Sequence, residues 1–507
     1  MLMKPFALAC VALAIPTIAF TQTNPASQAA RQWRQRHEHA IVDEYVTFLK
    51  IPNLSRDAAN IRLNADALVE MMKRRGIDAR QVSVSGSNPV VFGEIRTPGA
   101  TRTLGFYAHY DGASLDPKEW TTPPFEPVLR DKAVEDGGKV VSMPPGGSPF
   151  DPESRLYARG AGDDKAPIQA LLSALDSMRE ARLTPKANIK FAFEGEEEAG
   201  SINLEKILVA NKSTFAADLW FVCDTPVHQT RRQSIVFGAR GSGSLDITIY
   251  GPRVELHSGH YGAWAPNPAQ LLAQLLTSMK SPDGHVLVKG FYDGVTPLSA
   301  IERQAVADAP VVDAELMRDL WLGATDNAPR HLAELLNEPT LNVRGMSSAR
   351  TGAQASNVIP TTATASLDVR PVKGMDLSRT LQRVVDHVRA QGYFVVGKEP
   401  DAATRMAHAR VALVTMRPGG YAGGRTPMDL LISQDVIRTV ESVRGPAVKI
   451  PSSGGSIPLT MIDNALGTRT IVMPIANHDD NQHAFDENLR LQNLWDGIEL
   501  MAALLTM

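Results

Sequence analysis

Phe193-Glu194-Gly195-Glu196-Glu197-Glu198-Ala199-Gly200-Ser201 places four carboxylates within five positions, directly after the apolar run Ile189 to Phe193. The run reads as a strand that carries the acidic turn to the edge of a sheet. Neighbouring carboxylates repel, and several cannot stay ionised in a cleft unless positive charge sits among them. One reading is a solvated acidic turn, the usual state of a charge run. The other is a metal site in which one glutamate is a ligand and a neighbour is the general base.

Working outward, other segments end in the same way. Thr103 to Tyr107 reads as a strand and runs into Ala108-His109-Tyr110-Asp111-Gly112. Leu156-Tyr157-Ala158-Arg159-Gly160-Ala161-Gly162-Asp163-Asp164-Lys165 leads into a helix whose buried face carries Ile168, Leu171, Leu172, Leu175 and Met178. Asp218 to Cys223 is a strand with Asp224 at its end. Strand and helix alternate, which predicts an α/β layer with a mostly parallel central sheet. Ligands of such sheets lie beyond the carboxyl ends of the strands. His109, Asp224 and the acidic turn stand at such ends, and Asp163 stands where a glycine-bearing loop enters a helix.

The flanks complete this layer. Ser27 to Lys50 and Asp57 to Arg75 read as helices, and Gln81 to Val84 and Val90 to Ile95 as strands. Asp116 to Asp151, rich in Pro, Gly and charge, is expected to be a surface excursion. From Ser244 to Met416 the order becomes strand-helix-strand-strand-helix-strand, interrupted by an insertion from about Asp283 to Asn337. That order predicts a ferredoxin-like α+β domain inserted into the first. The α/β texture returns near Thr426. The expected division is a leader over residues 1–25, a catalytic domain over 26–241 and 425–507, and an insert over 242–424.

Length and composition agree. A 507-residue chain with 43% hydrophobic and 21% charged residues suits a globular protein of more than one domain. A formal net charge of -3 excludes a nucleic-acid or anionic-membrane surface as the organising feature. Met1 to Lys4 is a short basic start, Pro5 to Phe20 is apolar, and Ala19-Phe20-Thr21 resembles a cleavage site. This predicts export to the periplasm or beyond. The segment is too short and Pro-broken for a stable membrane span. Of the two cysteines, Cys10 falls in the leader, so Cys223 alone remains and no intrachain disulfide forms.

The combined ligand set is two histidines and three acidic segments without thiolate. It suits Zn²⁺, Mn²⁺ or Co²⁺ and disfavours a structural cysteine zinc site. Taken together, several motifs resemble those of the M20 metallopeptidases, especially the branch with carnosinases and bacterial dipeptidases. They are His109-Tyr110-Asp111, Arg159 to Lys165, Glu194 to Ser201, Cys223-Asp224, His257-Ser258-Gly259, Asn357-Val358-Ile359-Pro360, Gly454-Gly455-Ser456-Ile457-Pro458 and His483. They cover nearly everything after the leader, in order.

The resemblance implies two divalent metal ions, zinc first and Mn or Co as alternatives. His109 and Asp224 would hold one, Glu198 and His483 the other, and Asp163 would bridge them. Glu197 would be the general base, with Asp111 fixing His109. His257 would reach the partner subunit's site in a homodimer formed through the insert and stabilise the oxyanion. Arg370, Asn357 and the turn at Gly455 and Ser456 would hold the substrate. The implied reaction is hydrolysis of dipeptides or short peptides, with N-acyl amino acid deacylation or carboxypeptidase action as the alternatives on the same site. A binding protein on this scaffold would be expected to lose ligands or the base, and all six positions are intact. Ala166, Gly112, Ala113 and Ala239 depart from the usual motif residues and bear on the pocket wall rather than on a ligand.

Overall fold

The computed structural model describes residues 24–507 except Ser456. The leader expected over residues 1–25 therefore lies outside the described residues, apart from its last two positions. Those two belong to the fold. The Asn24 side chain accepts from the backbone N–H groups of Ala26 and Ser27, and Pro25 opens the helix Pro25–Leu49. This helix buries Ala30, Val42, Tyr45 and Leu49. It packs against the helices Lys165–Glu180 and Leu491–Leu505 on one face of the central sheet.

The central sheet has eight strands. Their spatial order is Asp78–Val82, Val90–Ile95, Asn188–Glu194, Thr103–His109, Leu219–Val222, Thr470–Val472, Ser234–Val236 and Val448–Ile450. The four middle strands from Asn188–Glu194 to Thr470–Val472 are parallel neighbours. Their carboxyl ends consequently share one edge, and His109 pairs in register with Glu194. Phe106, fully buried, stacks between Phe191 and Phe221 at ring-centroid distances of 6.2 and 5.1 Å. Each such ring contributes about 1.5–3 kcal/mol on burial, so the strands that carry the site are held together by a buried aromatic stack.

The Asp116 to Asp151 excursion is more ordered than its composition suggests. Val128–Arg130 and Val140–Val141 form a four-stranded sheet with Arg155–Tyr157 and Asn488–Arg490. The pairing is non-local, so no short-range pattern announces it. The closing helix begins at Leu491, because the residues before it are spent on this sheet.

The insert has its own sheet and core. Its strands lie in the order Thr340–Ser348, Thr362–Arg370, Gly243–Tyr250, Val411–Met416 and Phe394–Val396. The first four give the ferredoxin-like arrangement, and Phe394–Val396 adds a parallel edge strand that the sequence reading lacked. Leu245, Ile247 and Ile249 alternate inward with Ala363, Ala365 and Leu367 against the helices Pro268–Thr277 and Leu377–Ala390. The chain leaves and returns through paired short strands, with Gly238 opposite Arg425 and Ala239 opposite Gly424. Inside the insertion at 283–337, the helix Ala300–Ala307 packs on the strand Val448–Ile450. Its Glu302 forms a buried ion pair with Arg425 at 2.9 Å. The insertion thus ties the insert to the central sheet.

Candidate metal centre and active site

Five side chains from five segments converge at the shared strand edge. His109, Asp163 and Asp224 bring ligand atoms within 4.8 Å of one another, and so do Asp163, Glu198 and His483. Asp163 belongs to both groups. Its Oδ1 lies 2.8 Å from His109 Nε2, and its Oδ2 lies 3.2 Å from His483 Nε2. Glu198 Oε2 is 3.2 Å from the same His483 nitrogen, and Asp224 Oδ2 is 3.9 Å from His109 Nε2. The expected ligand residues are therefore together, in the expected pairs.

The chemistry of this set fits cations. The Nδ1–H of His109 donates to the Asp111 carbonyl at 3.0 Å, which leaves the Nε2 lone pair of a neutral ring aimed at Asp163. A lone pair facing a carboxylate at that distance needs a proton or a metal between them. Glu198 Oε1 is buried with no hydrogen-bond partner among the described residues. Burial, then the negative charge of Asp163, pushes Glu198 up to about 8 and Asp224 up to about 6. The hydrogen bond to Asp163 raises His483 to about 9, against the effect of burial. Burial opposes ionisation of Asp163 too, yet the two imidazoles hold its carboxyl far below the usual range. Protons on the imidazoles thus do what one or two divalent cations would do better.

Glu197 stands on the same short turn as Glu198, Glu197–Ala199. Burial raises its pKa well above the ordinary value; the charges of Asp224, Glu198 and Asp163 add to that and His109 opposes it. It is a carboxylate tuned to hold a proton beside the ligands. Gly195 is required here, because a Cβ would lie 2.3 Å from the Tyr110 hydroxyl.

Asp111 has a wider role than orienting His109. Its Oδ1 is 3.5 Å from His109 Nδ1, farther than its own carbonyl. The carboxylate oxygens instead accept the backbone N–H groups of Glu197 and Glu198, both at 3.1 Å. Asp111 therefore fixes the base and a ligand relative to His109.

Several contributors escaped the sequence reading. Glu487 is fully buried and accepts from Arg159 Nη1 and from the backbone N–H groups of Gly160, Gly162 and Asp163. It moulds the loop that presents Asp163. Asp164 accepts the His109 N–H at 3.1 Å. Glu194 and Glu196 are both buried. Glu194 receives the hydroxyls of Tyr107 and Ser201, and Glu196 caps Asn88 and Asn203. Asp480 is buried and Asp479 partly exposed. Asp479 pairs with Arg155 and Arg490, and Asp480 caps Gln482. The only sequence signal for Glu487 is its position between the last ligand and the closing helix.

The expected substrate-binding residues separate into two groups. Arg370 and Gly455 line one pocket of about 390 Å³, and Ser456 lies outside the described residues. Arg370 also pairs with Asp368 at 2.8 Å. His257 and Asn357 are exposed on the insert and, among the described residues, take no part in the ligand clusters. His257 Nδ1 accepts from the Gly259 N–H, and the Asn357 carbonyl accepts from the Ser258 N–H, so Asn357 shapes the turn that presents His257.

Comparison with known proteins adds a consistent result. The family model described as peptidase family M20/M25/M40 matches residues 105–507. A Cys-Gly metallodipeptidase of Schizosaccharomyces pombe is 27% identical over 482 residues, covering 90% of this chain and 94% of that protein. The human Beta-Ala-His dipeptidase is 26% identical over 82% of this chain and 76% of its own length. Among solved structures, an M20 family metallo-carboxypeptidase from Sulfolobus solfataricus superposes with a TM-score of 0.74 at 26% identity. That match covers 92% of this chain and 98% of the other.

Proposed function

The chain belongs to peptidase family M20/M25/M40, and on that premise we propose that it is an exopeptidase cleaving dipeptides or short peptides. The observation that carries this reading is Asp163 held between His109 and His483, with Glu197 beside them. Dipeptidase names among the relatives support the substrate class.

His109, Asp163 and Asp224 would hold one divalent cation and Asp163, Glu198 and His483 a second, with zinc the best match to the donors. When bound, the pair supplies Lewis acidity toward the scissile carbonyl and acidifies water. The Glu197 carboxylate takes the proton of the attacking water and returns it to the leaving amine nitrogen. Arg370 grips the terminal carboxylate, aided by the backbone N–H of Gly455. The insert, 242–424, serves as lid and dimer surface. Its edge strand Thr340–Ser348 exposes residues 342–347 on both faces, which suits strand addition between two copies. In that homodimer His257 of one subunit serves the oxyanion in the other. Lid closure brings these residues to the metals. The leader directs the enzyme to the periplasm or beyond; a cell-extracted protein that keeps Met1 and stays in the cytosol would remove that part of the reading.

The test is metal analysis coupled to a substrate panel. The expected outcome is two divalent ions per chain and dipeptides cleaved faster than N-acetylated amino acids or longer peptides. The solved metallo-carboxypeptidase favours a second reading, sequential removal of C-terminal residues. Faster trimming of pentapeptides than of dipeptides would establish that reading instead. Faster deacylation would move the enzyme to the N-acyl amino acid class.

A further inference from the structure

A cavity of about 830 Å³ lies between the insertion at 283–337 and the central sheet. Val227, Val448 and Ile450 line it from the sheet side, and Leu298, Val306 and Leu336 from the insertion. The charged side chains around it are engaged elsewhere. Arg330 pairs with Glu338 at 2.5 Å and with Glu334 at 3.5 Å, and Lys449 pairs with Glu441 at 2.9 Å. Asp313 accepts the Leu332 N–H at 2.9 Å, and Arg303 donates to the Leu298 carbonyl at 2.5 Å. His228 and His478 also line the cavity, and burial, the first cause for both, lowers their pKa values, so they present neutral rings near pH 7. An apolar cavity of this size has the form of a small-ligand pocket.

Its position names the ligand. Pro226, on its lining, stands two residues past the metal-ligand position Asp224. Gly454, also on its lining, is shared with the pocket that holds Arg370 and Gly455. A Cβ on Gly454 would meet Leu336 Cδ2 at 2.7 Å, so the apolar wall reaches the carboxylate-binding turn itself. The C-terminal residue of a dipeptide is bonded through its nitrogen to the scissile carbonyl carbon and ends in the α-carboxylate. It therefore spans the interval between the metal ligands and that turn, and its side chain leaves from the carbon in between. The cavity adjoins both anchor points. Both of its walls are already in place, since the helix Ala300–Ala307 packs on Val448–Ile450 and Glu302 pairs with Arg425 in the interior.

We propose that this cavity receives the side chain of the substrate's C-terminal residue and selects large apolar ones, aromatic or branched aliphatic. The assignment rests on the peptidase reading above and names its substrate class. Apolar burial supplies the selection, and Leu336 sets the entrance beside Gly454.

Dipeptides that differ only in the C-terminal side chain test it. For the metal-loaded enzyme, kcat/KM for Ala-Phe should exceed that for Ala-Gly by about 10–100-fold, and Ala-Leu should exceed the near-isosteric Ala-Asn by about tenfold. Val306→Phe, which fills the cavity, should bring the Ala-Phe to Ala-Gly ratio within about threefold of one, chiefly through KM for Ala-Phe. Leu336→Asn, polar at the entrance, should lower the same ratio by about tenfold. Equal rates for Ala-Phe and Ala-Gly in the wild type overturn the proposal. So does a preference that survives both variants, even where both rates fall together. A Val306→Phe effect on Phe-Gly rather than on Ala-Phe also overturns it, because the cavity would then serve the N-terminal residue. Calorimetric titration of metal-loaded Glu197→Gln protein with Ala-Phe and Ala-Gly separates this from the peptidase reading. Tighter binding of Ala-Phe without turnover by the wild type keeps the cavity assignment and defeats the peptidase. Equal binding, or none, defeats the cavity assignment.

Discussion

The strand edge of the central sheet and the insert carry the two groups of residues that the proposed site needs, but they hold them differently. At the sheet edge, His109, Asp163, Asp224, Glu198 and Glu197 are held within one chain by burial and by a shell of carboxylates and amides, with the exposed His483 closing the cluster. On the insert, His257 and Asn357 are exposed and Arg370 lines a pocket of its own. The first region is preorganised, which electrostatic catalysis requires. In the proposed reaction the second is completed by closure or by another subunit.

The sharpest way to break this comparison is to damage one region in each of two protein samples. Glu197→Gln should keep its metal and lose about 10²–10⁴-fold in kcat, the range for removing a general base. His257→Ala should lose about 10²–10³-fold, as for an oxyanion donor. Mixed in equal amounts with subunit exchange, the two should recover about a quarter of wild-type activity, because half the dimers are mixed and each has one complete site. Absence of recovery after exchange, verified by mass-tagged subunits, would place His257 outside the partner's site.

A smaller effect tests the rigid half from its support. Glu487 accepts four donors around the Asp163 loop and touches no ligand atom of its own. Glu487→Gln swaps one acceptor for a donor facing Arg159 or a backbone N–H. Metal affinity should fall about 10–100-fold, the range for loss of a supporting group, with turnover largely regained at saturating metal. Metal titration followed by calorimetry reads this directly. Unchanged affinity in a folded variant would show that the loop holds Asp163 without Glu487.

Sequence reading placed His109, Asp163, Asp224 and the acidic turn together because they follow strands or precede a helix, and parallel strands put those ends on one edge; His483 lies in a loop and its role came from the family motif. It could not separate Glu197 from Glu198 by spacing; the family motif made that distinction. The insert's ferredoxin-like order was also legible, since Gly243–Tyr250 and Thr362–Arg370 alternate cleanly in burial. What stayed hidden was non-local. Val128–Arg130 pairs with Arg155–Tyr157 across a Pro- and Gly-rich segment. Glu487 acts on residues more than three hundred positions earlier. Asp111 was assigned one partner, although its carboxylate serves the amides of Glu197 and Glu198, an arrangement fixed by the approach of two strand ends.

Glu194 gives the finest test of how rigid the sheet edge is. It is fully buried, and the hydroxyls of Tyr107 and Ser201 both donate to its Oε2, while Oε1 has no partner among the described residues. Burial pushes its pKa up to about 8, against those hydrogen bonds and with the charges of Asp111 and Glu196. A carboxyl whose folded value lies above its unfolded value of about 4.5 is most stabilising when protonated. Its contribution is complete below about pH 4.5, falls as pH rises above that, and is lost once pH passes about 8. Glu194→Gln keeps the shape and cannot ionise. The difference in Tm between the variant and the wild type should therefore grow in the variant's favour from about pH 5 to about pH 9, by a few degrees. A difference that stays flat across that range would mean that Glu194 is ionised in the folded protein. The acidic turn would then hold a second buried negative charge, and the ligand cluster would owe less of its geometry to a neutral floor.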